Sequence, residues 1–301
     1  KHGEKVAIFA DTCVNWLLSS LSLEYIGSII VTVFTTLGDD GVIYAFNQTQ
    51  VQTCITSYEL LPRMSSLINQ MPSLKRIIYF EGPNNMTSSL KFPSHISMIS
   101  FSKIENCGRE TNRELHFEPL HPDDVSMIMY TSGTTGIPKG VIASQRLCKE
   151  AGLAMLAVVK DVIEDGPRHT YVAYLPMAHI LEASVQMFLF AGGVKIGYAT
   201  PFTLNESAPG LAEGEVCDLK LLKPTVMTCV PLVLDRFRKE MYNKLRSRTP
   251  VSVDIFNYLS SYKIKWKSRG YDTPIVNKIL CSKVQQQLGG RLVIIIIIMV
   301  I

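Results

Sequence analysis

Short apolar runs that alternate with helix-length segments are the feature that most limits how this chain of 301 residues can fold. Runs rich in β-branched and aromatic residues predict strands, and apolar residues at helical spacing predict helices. The predicted strands cover residues 29–35, 51–56, 76–80, 125–130, 171–175 and 194–198, and the predicted helices cover residues 15–25, 60–70, 144–161 and 181–190. This alternation is typical of an α/β fold, in which helices flank parallel sheets.

The domain organisation follows from a change in composition along the chain. Residues 81–120 are polar and rich in Gly, Pro and Asn, which predicts an irregular connection between two subdomains over residues 1–120 and 121–292. Residues 293–301 form an apolar tail with five consecutive isoleucines. As a helix this tail would span about 14 Å of a ~30 Å hydrocarbon core, so it cannot cross a membrane. We expect an aberrant end, with a buried strand as the alternative.

Residues 16–34 form the one stretch that resembles a membrane-spanning helix in its apolar content. Glu24, Gly27 and five serine or threonine residues interrupt it. A helix followed by a strand explains this pattern better than a transmembrane segment.

Directly after the predicted strand 125–130, hydroxyl residues and glycines follow one another from Thr131 to Gly136, and Lys139 comes soon after. Glycine allows successive backbone N–H groups to point the same way, hydroxyl groups add donors, and lysine adds a positive charge. In open α/β sheets, ligands bind where the strands end. The pattern therefore predicts a binding loop for a polyphosphate.

Two other phosphate-binding patterns are absent from this segment. The order of residues 136–140 is Gly-Ile-Pro-Lys-Gly, which does not fit Gly-x-x-x-x-Gly-Lys-Ser/Thr, and no Gly-x-Gly-x-x-Gly is present. These absences disfavour kinase and nicotinamide-dependent functions. The remaining alternative, a turn that binds nothing, is disfavoured by the length of the pattern.

Residues 130–141 resemble the phosphate loop of the acyl-adenylate-forming enzymes. Residues 171–182, which include Leu175-Pro176-Met177-Ala178-His179, are similar to a Leu-Pro-x-x-His segment of long-chain fatty acyl-CoA synthetases. Residues 270–274 and 288–290 resemble the animal subgroup of long-chain synthetases 3 and 4. The resemblance covers about residues 1–292. It implies an incomplete N-terminal domain of an adenylate-forming enzyme, with the mobile C-terminal domain absent.

By this resemblance, the chain is a portion of an enzyme that uses ATP to convert a long-chain fatty acid to acyl-AMP and then to acyl-CoA. Lys139 would offset phosphate charge, the hydroxyl of Thr131 would meet Mg²⁺, and His179 would lie beside the acyl carboxylate. ATP, Mg²⁺ and coenzyme A as co-substrate are the implied small molecules. The loop residues implied to hold the β- and γ-phosphates are Thr131, Ser132, Gly133, Thr134, Thr135 and Gly136. Glu182 and Tyr174 are weaker candidates, since helix packing explains them equally well.

Composition and resemblance together indicate which binding partners and which cellular compartment to expect. A net charge of +4 does not by itself indicate nucleic acid binding, and we expect none. The seven cysteines and six histidines show no metal-ligand spacing. The resemblance implies membrane association through a missing segment, at the cytosolic face of the endoplasmic reticulum or another intracellular membrane. Basic stretches at residues 235–248 and 263–269 could meet coenzyme A phosphates or anionic lipid, although a solvated basic helix face is the simpler explanation.

Two alternatives remain. One is a catalytically inert protein that binds nucleotide or acyl groups for regulation. The other is a different adenylating enzyme, such as a luciferase or an aryl-CoA ligase, which the Leu-Pro-x-x-His and Gly-Tyr-Asp-x-Pro segments disfavour.

We expect the chain by itself to show no ligase activity. Three segments that the related enzymes use have no match in the sequence: Tyr-Gly-x-Thr-Glu at the adenine, Thr-Gly-Asp at the ribose, and a late lysine. A coupled assay of pyrophosphate release with palmitate or arachidonate, ATP and Mg²⁺ measures this, and clear turnover would contradict the expectation.

Overall fold

A computed structural model describes residues 2–82, 91–111, 119–131, 138–160, 166–247, 249 and 251–297. The chain divides into two compact units. The first unit comprises residues 1–159 and 176–188, and the second comprises residues 160–175 and 189–301. The predicted α/β fold class is confirmed in both units.

The first unit contains a seven-stranded sheet with the strand order β5-β4-β3-β1-β2-β6-β7. All neighbouring strands are parallel except β6 and β7, which are antiparallel. The strands are β1 (Lys5–Phe9), β2 (Ile29–Thr32), β3 (Thr53–Ser57), β4 (Arg76–Phe80), β5 (Ser97–Ser100), β6 (Val125–Thr131) and β7 (Lys139–Ser144).

Six helices belong to the described part of the first unit, and the last of them ends in the second unit. They are α1 (Val14–Tyr25), α2 (Asp39–Thr49), α3 (Leu61–Leu67), α4 (Phe101–Glu110), α5 (Gln145–Val158) and α6 (Ile180–Ala191). Helices α2 and α3 bury Phe46 and Met64 against Ala7, Val31 and Ile77 of the sheet. This apolar layer covers one face of the sheet, as parallel strands require.

Helix α1 and strand β2 confirm the helix–strand prediction for residues 16–34. The hydroxyl groups of Ser19, Ser20 and Ser22 donate to backbone carbonyls three or four residues earlier, so the serines satisfy their own polar groups within the helix. Gly27, with φ of +67°, turns the chain from the helix into β2. No described helix is long and apolar enough to cross a membrane.

Two sequence predictions for this region need correction. Residues 81–120 are not wholly irregular, because β5 and α4 form within them and β5 continues the sheet beside β4. The division after residue 120 also differs from the structure, since β6 pairs with β2 and places residues 121–159 in the first unit. Polar composition concealed β5, which lies at the edge of the sheet and is only partly buried.

The second unit contains a four-stranded parallel sheet with the order β11-β10-β8-β9. Its strands are β8 (Thr170–Ala173), β9 (Lys195–Tyr198), β10 (Val226–Cys229) and β11 (Ile294–Ile297). Its helices are α7 (Asp218–Leu222), α8 (Pro231–Arg246), α9 (Val251–Lys267), α10 (Pro274–Val276) and α11 (Ser282–Gln287), with a π-helical turn (Asn277–Cys281) between the last two. The interpretation of residues 293–301 as an aberrant tail is corrected in part: Ile294–Ile297 pair with β10, and residues 298–301 lie outside the described residues.

The buried isoleucine Ile77 of β4 provides a test of this core. Its side chain is fully buried among α2 and α3, so Ile77→Ala should lower the free energy of unfolding by about 2–5 kcal/mol through lost burial and a cavity. The matched control is Ile142→Ala in β7, where the side chain is 62% exposed and the loss should stay below about 1 kcal/mol. Urea unfolding followed by circular dichroism compares them, and equal losses would contradict the packing described.

Candidate functional site

The predicted phosphate loop joins two antiparallel strands. Strand β6 runs to Thr131, β7 begins at Lys139, and these two residues are direct cross-strand partners. Opposed residues in an antiparallel pair project to the same face with Cβ atoms about 4.5–5.5 Å apart. A hydroxyl group and an ammonium group, both exposed, therefore stand side by side at the base of the loop.

The remaining loop residues lie outside the described residues. They are Ser132, Gly133, Thr134, Thr135 and Gly136. Residues 129–131 and 139–141 pair with each other in the β6–β7 ladder, so both flanks of the loop are strand. The sequence predicted a helix after the loop and missed β7.

Tyr130 and Gly140 are paired residues that pack against each other at the base of this hairpin. Tyr130 is 1% exposed, and its hydroxyl donates to Gln48 Oε1 of α2 at 2.6 Å. A Cβ atom at position 140 would lie 3.2 Å from the Tyr130 ring, so glycine lets the ring pass under β7. Burial raises the pKa of Tyr130 to about 12, which keeps its hydroxyl a donor. The end of β6 is thus fastened to α2.

Two threonine hydroxyls hold the segment that carries His179 against the same sheet. Thr12, which follows β1, accepts a hydrogen bond from the backbone N–H of Met177 at 2.9 Å. Thr32, the last residue of β2, donates to the carbonyl of Ala178 at 3.0 Å. Thr32 ends β2 and Thr12 lies three residues beyond the end of β1, so residues 177–178 are held beside the carboxyl edge of the sheet.

The threonine contacts place this segment on the face that carries Thr131 and Lys139. Thr32 is the direct partner of Met129, and paired residues of neighbouring strands project to the same face. Thr131 lies two residues beyond Met129, about 7 Å along the strand, and therefore shares that face. The structure thus brings together the Leu-Pro-x-x-His segment and the base of the predicted phosphate loop.

His179 caps helix α6. Its Nδ1 accepts a hydrogen bond from the backbone N–H of Leu181 at 3.3 Å, and its carbonyl accepts from Ala183 at 3.1 Å. An Nδ1 that accepts must be unprotonated, so the proton of the neutral ring resides on Nε2. Burial lowers the pKa of His179, which favours the same neutral form. The sequence suggested an orienting histidine and missed the cap, although a side-chain acceptor just before a helix is the relevant signal.

Helix α6 is fixed further along by packing against α5. The ring of Phe188 occupies the space beside Gly152, where a Cβ atom would lie 1.6 Å from the ring. Glu182 is buried and accepts from Gln186 at 2.7 Å within the helix. Tyr174, in the second unit, donates to the carbonyl of Thr228 at 2.7 Å. A functional role for Glu182 or Tyr174 stays a prediction.

The loop after β2 is held at this edge by Arg63. The guanidinium of Arg63 donates to the carbonyls of Thr35 and Leu37 and pairs with Asp39 at 2.8 Å. The hydroxyl of Thr35 donates to Asp11 Oδ1 at 2.6 Å. The chain after β1 and the chain after β2 are therefore linked beside the candidate site.

The second unit has a cleft of about 880 Å³ between residues 201–209 and helix α8, a volume within the usual range of ligand pockets. Its apolar lining includes Tyr174, Phe202 and Phe237. The carboxylate of Glu206 forms ion pairs with Lys220 of α7 and with Lys244 of α8, the latter at 2.6 Å. The hydrogen bonds from these two lysines lower the pKa of Glu206 to about 2.

One residue of the basic stretch 235–248 belongs to this ion-pair network. Lys244 also contacts Glu240 at 2.9 Å, so its charge is balanced within the second unit. Among the residues that the structure describes, no three Asp, Glu, His or Cys side chains converge on a point where they could hold a metal ion.

Comparison with known proteins places the chain in a family. The model of the AMP-binding enzyme family matches residues 1–283, and the chain therefore belongs to the AMP-binding enzymes. Long chain acyl-CoA synthetase 8 of Arabidopsis thaliana is 29% identical over 299 residues, which cover 96% of this chain and 41% of that protein. Long-chain-fatty-acid–CoA ligase 1 of Schizosaccharomyces pombe is 30% identical over 296 residues, with 96% and 42% covered.

Solved structures agree on the fold. The adenylation and carrier-protein didomain of a carboxylic acid reductase from Segniliparus rugosus, solved with AMP, superposes with a TM-score of 0.66 at 18% identity. The match covers 98% of this chain and 39% of that one. The chain thus spans about two fifths of the length of the curated relatives described above. The subgroup of animal long-chain synthetases 3 and 4 stays a prediction.

The cap made by His179 gives a prediction about pH. Because its pKa is lowered in the folded state, folding favours the neutral ring, and this contribution is present above the ordinary value of about 6.5 and lost as the pH falls through the lowered value. His179→Asn keeps a capping acceptor that does not titrate, so acidification should lower the free energy of unfolding of this variant less than that of the unchanged chain.

Urea unfolding at about pH 7.5 and about pH 5.5, on either side of the ordinary histidine pKa, measures this difference. The matched control is His95→Asn at an exposed position, which should keep the pH dependence of the unchanged chain. An identical pH dependence in His179→Asn and the unchanged chain would show that the cap does not titrate as described.

Proposed function

We propose that this chain supplies the triphosphate clamp and the carboxylate-orienting histidine of an ATP-dependent long-chain fatty acid–CoA ligase. The observation that carries the proposal is the shared face of Thr131, Lys139 and the His179 segment at the carboxyl edge of the first sheet. Membership of the AMP-binding enzymes and similarity to long-chain acyl-CoA synthetases over nearly the whole chain support it.

The chemistry explains why these groups belong together. A carboxylate resists nucleophilic attack because it is negatively charged, and coupling to AMP with loss of pyrophosphate gives it a good leaving group. The first step therefore requires a fatty acid carboxylate and a triphosphate, both anionic, to meet at one place. Donors and cations fixed in advance reduce the cost of that approach. Lys139 supplies the positive charge, and Thr131 supplies a hydroxyl at the opposite strand end.

His179 would orient the carboxylate by donating a hydrogen bond. Its Nδ1 is engaged by the N–H of Leu181, and the neutral ring carries its proton on Nε2. An Nε2–H donor suits an anionic oxygen and does not require a change of protonation. The threonine contacts at Thr12 and Thr32 fix the backbone beside it, so the ring has a defined place from which to act.

Magnesium and coenzyme A complete the proposal. A bound magnesium ion would supply positive charge to the phosphates, and Thr131 is the residue that we propose would contact it. Coenzyme A would accept the acyl group through its thiol. We further propose that the full-length protein works at an intracellular membrane, such as the cytosolic face of the endoplasmic reticulum.

The phosphate clamp is tested by removing its cation. Lys139→Ala deletes a charge-assisted contact, so ATP affinity should fall about tenfold or more. The matched control is Lys149→Ala, which removes an exposed lysine from α5 away from the strand end. Isothermal titration calorimetry with ATP and Mg²⁺ measures both variants. If Lys139→Ala bound ATP as tightly as Lys149→Ala, the clamp would lie elsewhere.

A further inference from the structure

Helix α9 carries apolar side chains on several sides, and the side that includes Phe256 packs against α8. On the covered side, Phe256 meets Tyr242 of α8 edge to face, with ring centroids 5.7 Å apart. The hydroxyl of Tyr242 also donates to Asn257 Oδ1 at 2.7 Å. These contacts join α8 and α9 as an antiparallel pair within the second unit.

The other side of α9 carries a stripe of apolar and aromatic residues that we call the outer stripe. Its spacings of four, three, four and four residues place all members on one face of a helix with 3.6 residues per turn. No residue of α9 is buried, and the stripe is 41–70% exposed at its first four positions. The outer stripe consists of Val251, Ile255, Tyr258, Tyr262 and Trp266.

The C-terminal end of the outer stripe is an aromatic and cationic cluster. The Trp266 ring contacts the rings of Tyr262 and Tyr271 at centroid distances of 5.9 and 5.7 Å. The guanidinium of Arg269 lies 5.6 Å from the Trp266 centroid. Lys265, which is exposed, flanks the stripe one residue before Trp266. Tyrosine and tryptophan with adjacent basic residues are the side chains that favour a membrane–water interface.

Charge decides which occupant fits this face. Residues 251–272 contain four basic residues and two acidic ones. A second copy of the chain would set one basic cluster against another, which like-charge repulsion opposes. An anionic phospholipid surface instead offers negative charge to the cations and an apolar boundary to the stripe.

We propose that helix α9 lies in the plane of an anionic phospholipid surface, with the outer stripe inserted and Lys265 and Arg269 at the headgroups. This contact is peripheral, since no described helix crosses a bilayer. It does not depend on the proposed ligase activity, because its residues belong to the second unit and the phosphate clamp to the first.

Vesicle binding with Trp266 as a fluorescent probe tests the proposal. The chain has two tryptophans, and Trp16 is 2% exposed in the first unit, so a shift on binding reports Trp266. Emission should shift to the blue with vesicles of equal parts phosphatidylcholine and phosphatidylserine, but not with phosphatidylcholine alone. Added salt should weaken the binding. Trp266→Phe should abolish the shift while cosedimentation with the anionic vesicles remains.

Matched variants distinguish binding through the outer stripe from nonspecific adsorption of exposed apolar side chains. Ile255→Ser should lower the partition coefficient about tenfold, because one inserted aliphatic side chain is lost. The control is Ile264→Ser, which removes an isoleucine that is 71% exposed on the other side of α9 and should change partition by less than about twofold. Lys265→Glu combined with Arg269→Glu should lower the partition coefficient at least tenfold, because two attractive charges at the headgroups become repulsive.

Circular dichroism checks that each variant keeps its helix content. If Ile255→Ser unfolds, the charge-reversal variant tests whether α9 binds the anionic vesicles. Equal affinity for neutral and anionic vesicles, or equal effects of Ile255→Ser and Ile264→Ser, would overturn the proposal. Concentration-dependent self-association that Ile255→Ser abolishes, without any binding to vesicles, would assign the outer stripe to a second copy instead.

Discussion

Two threonine hydroxyls hold the segment that carries His179 against the first sheet. Thr12 and Thr32 stand at the ends of adjacent parallel strands, and each binds a backbone group of residues 177–178, more than 140 positions away in the chain. Without them, the turn that precedes α6 would have no fixed position over the sheet. The cap made by His179 depends on that turn, since the ring accepts from the first turn of the helix that follows. Side-chain hydrogen bonds at strand ends thus turn a generic sheet edge into a site with a definite geometry.

The antiparallel strand β7 changes how the Thr/Ser/Gly segment should be understood. In a strand–loop–helix arrangement, a phosphate would meet the first N–H groups of a helix. Here the loop connects two paired strands, and α5 begins only after β7 has ended, with Ser144 as its capping residue. The anchoring of Tyr130 on α2 and the absence of a side chain at Gly140 make the hairpin base rigid. A phosphate bound at this loop, as proposed, would therefore not meet the N-terminus of α5.

The sequence predicted those elements whose stability is local. The apolar run at residues 125–130 gave β6 and the serine-containing segment at residues 15–25 gave α1, because burial pattern and periodicity are visible in single stretches. It missed β7, whose six residues include Gly140 and whose pairing partner decides its conformation. It also missed β5, which is polar and only partly buried. The contacts of Thr12 and Thr32 could not be predicted at all, since they arise from tertiary docking and leave no periodic signal. Similarly, Lys139 was identified from the residue pattern of its loop and His179 from the resemblance, whereas their common face required the strand register.

Strand β11 has a consequence for the handling of this protein. It is the outermost strand of the second sheet, and its isoleucines alternate between partial burial against the sheet and exposure. One side of its backbone therefore presents a row of amide and carbonyl groups, flanked by β-branched side chains without charge. Such an edge templates the addition of further strands from neighbouring molecules, which is how ordered fibrils begin. Among the described strands, Ile294–Ile297 presents this hazard, and Ile295→Lys or Ile297→Lys would place a charge on its exposed side chains.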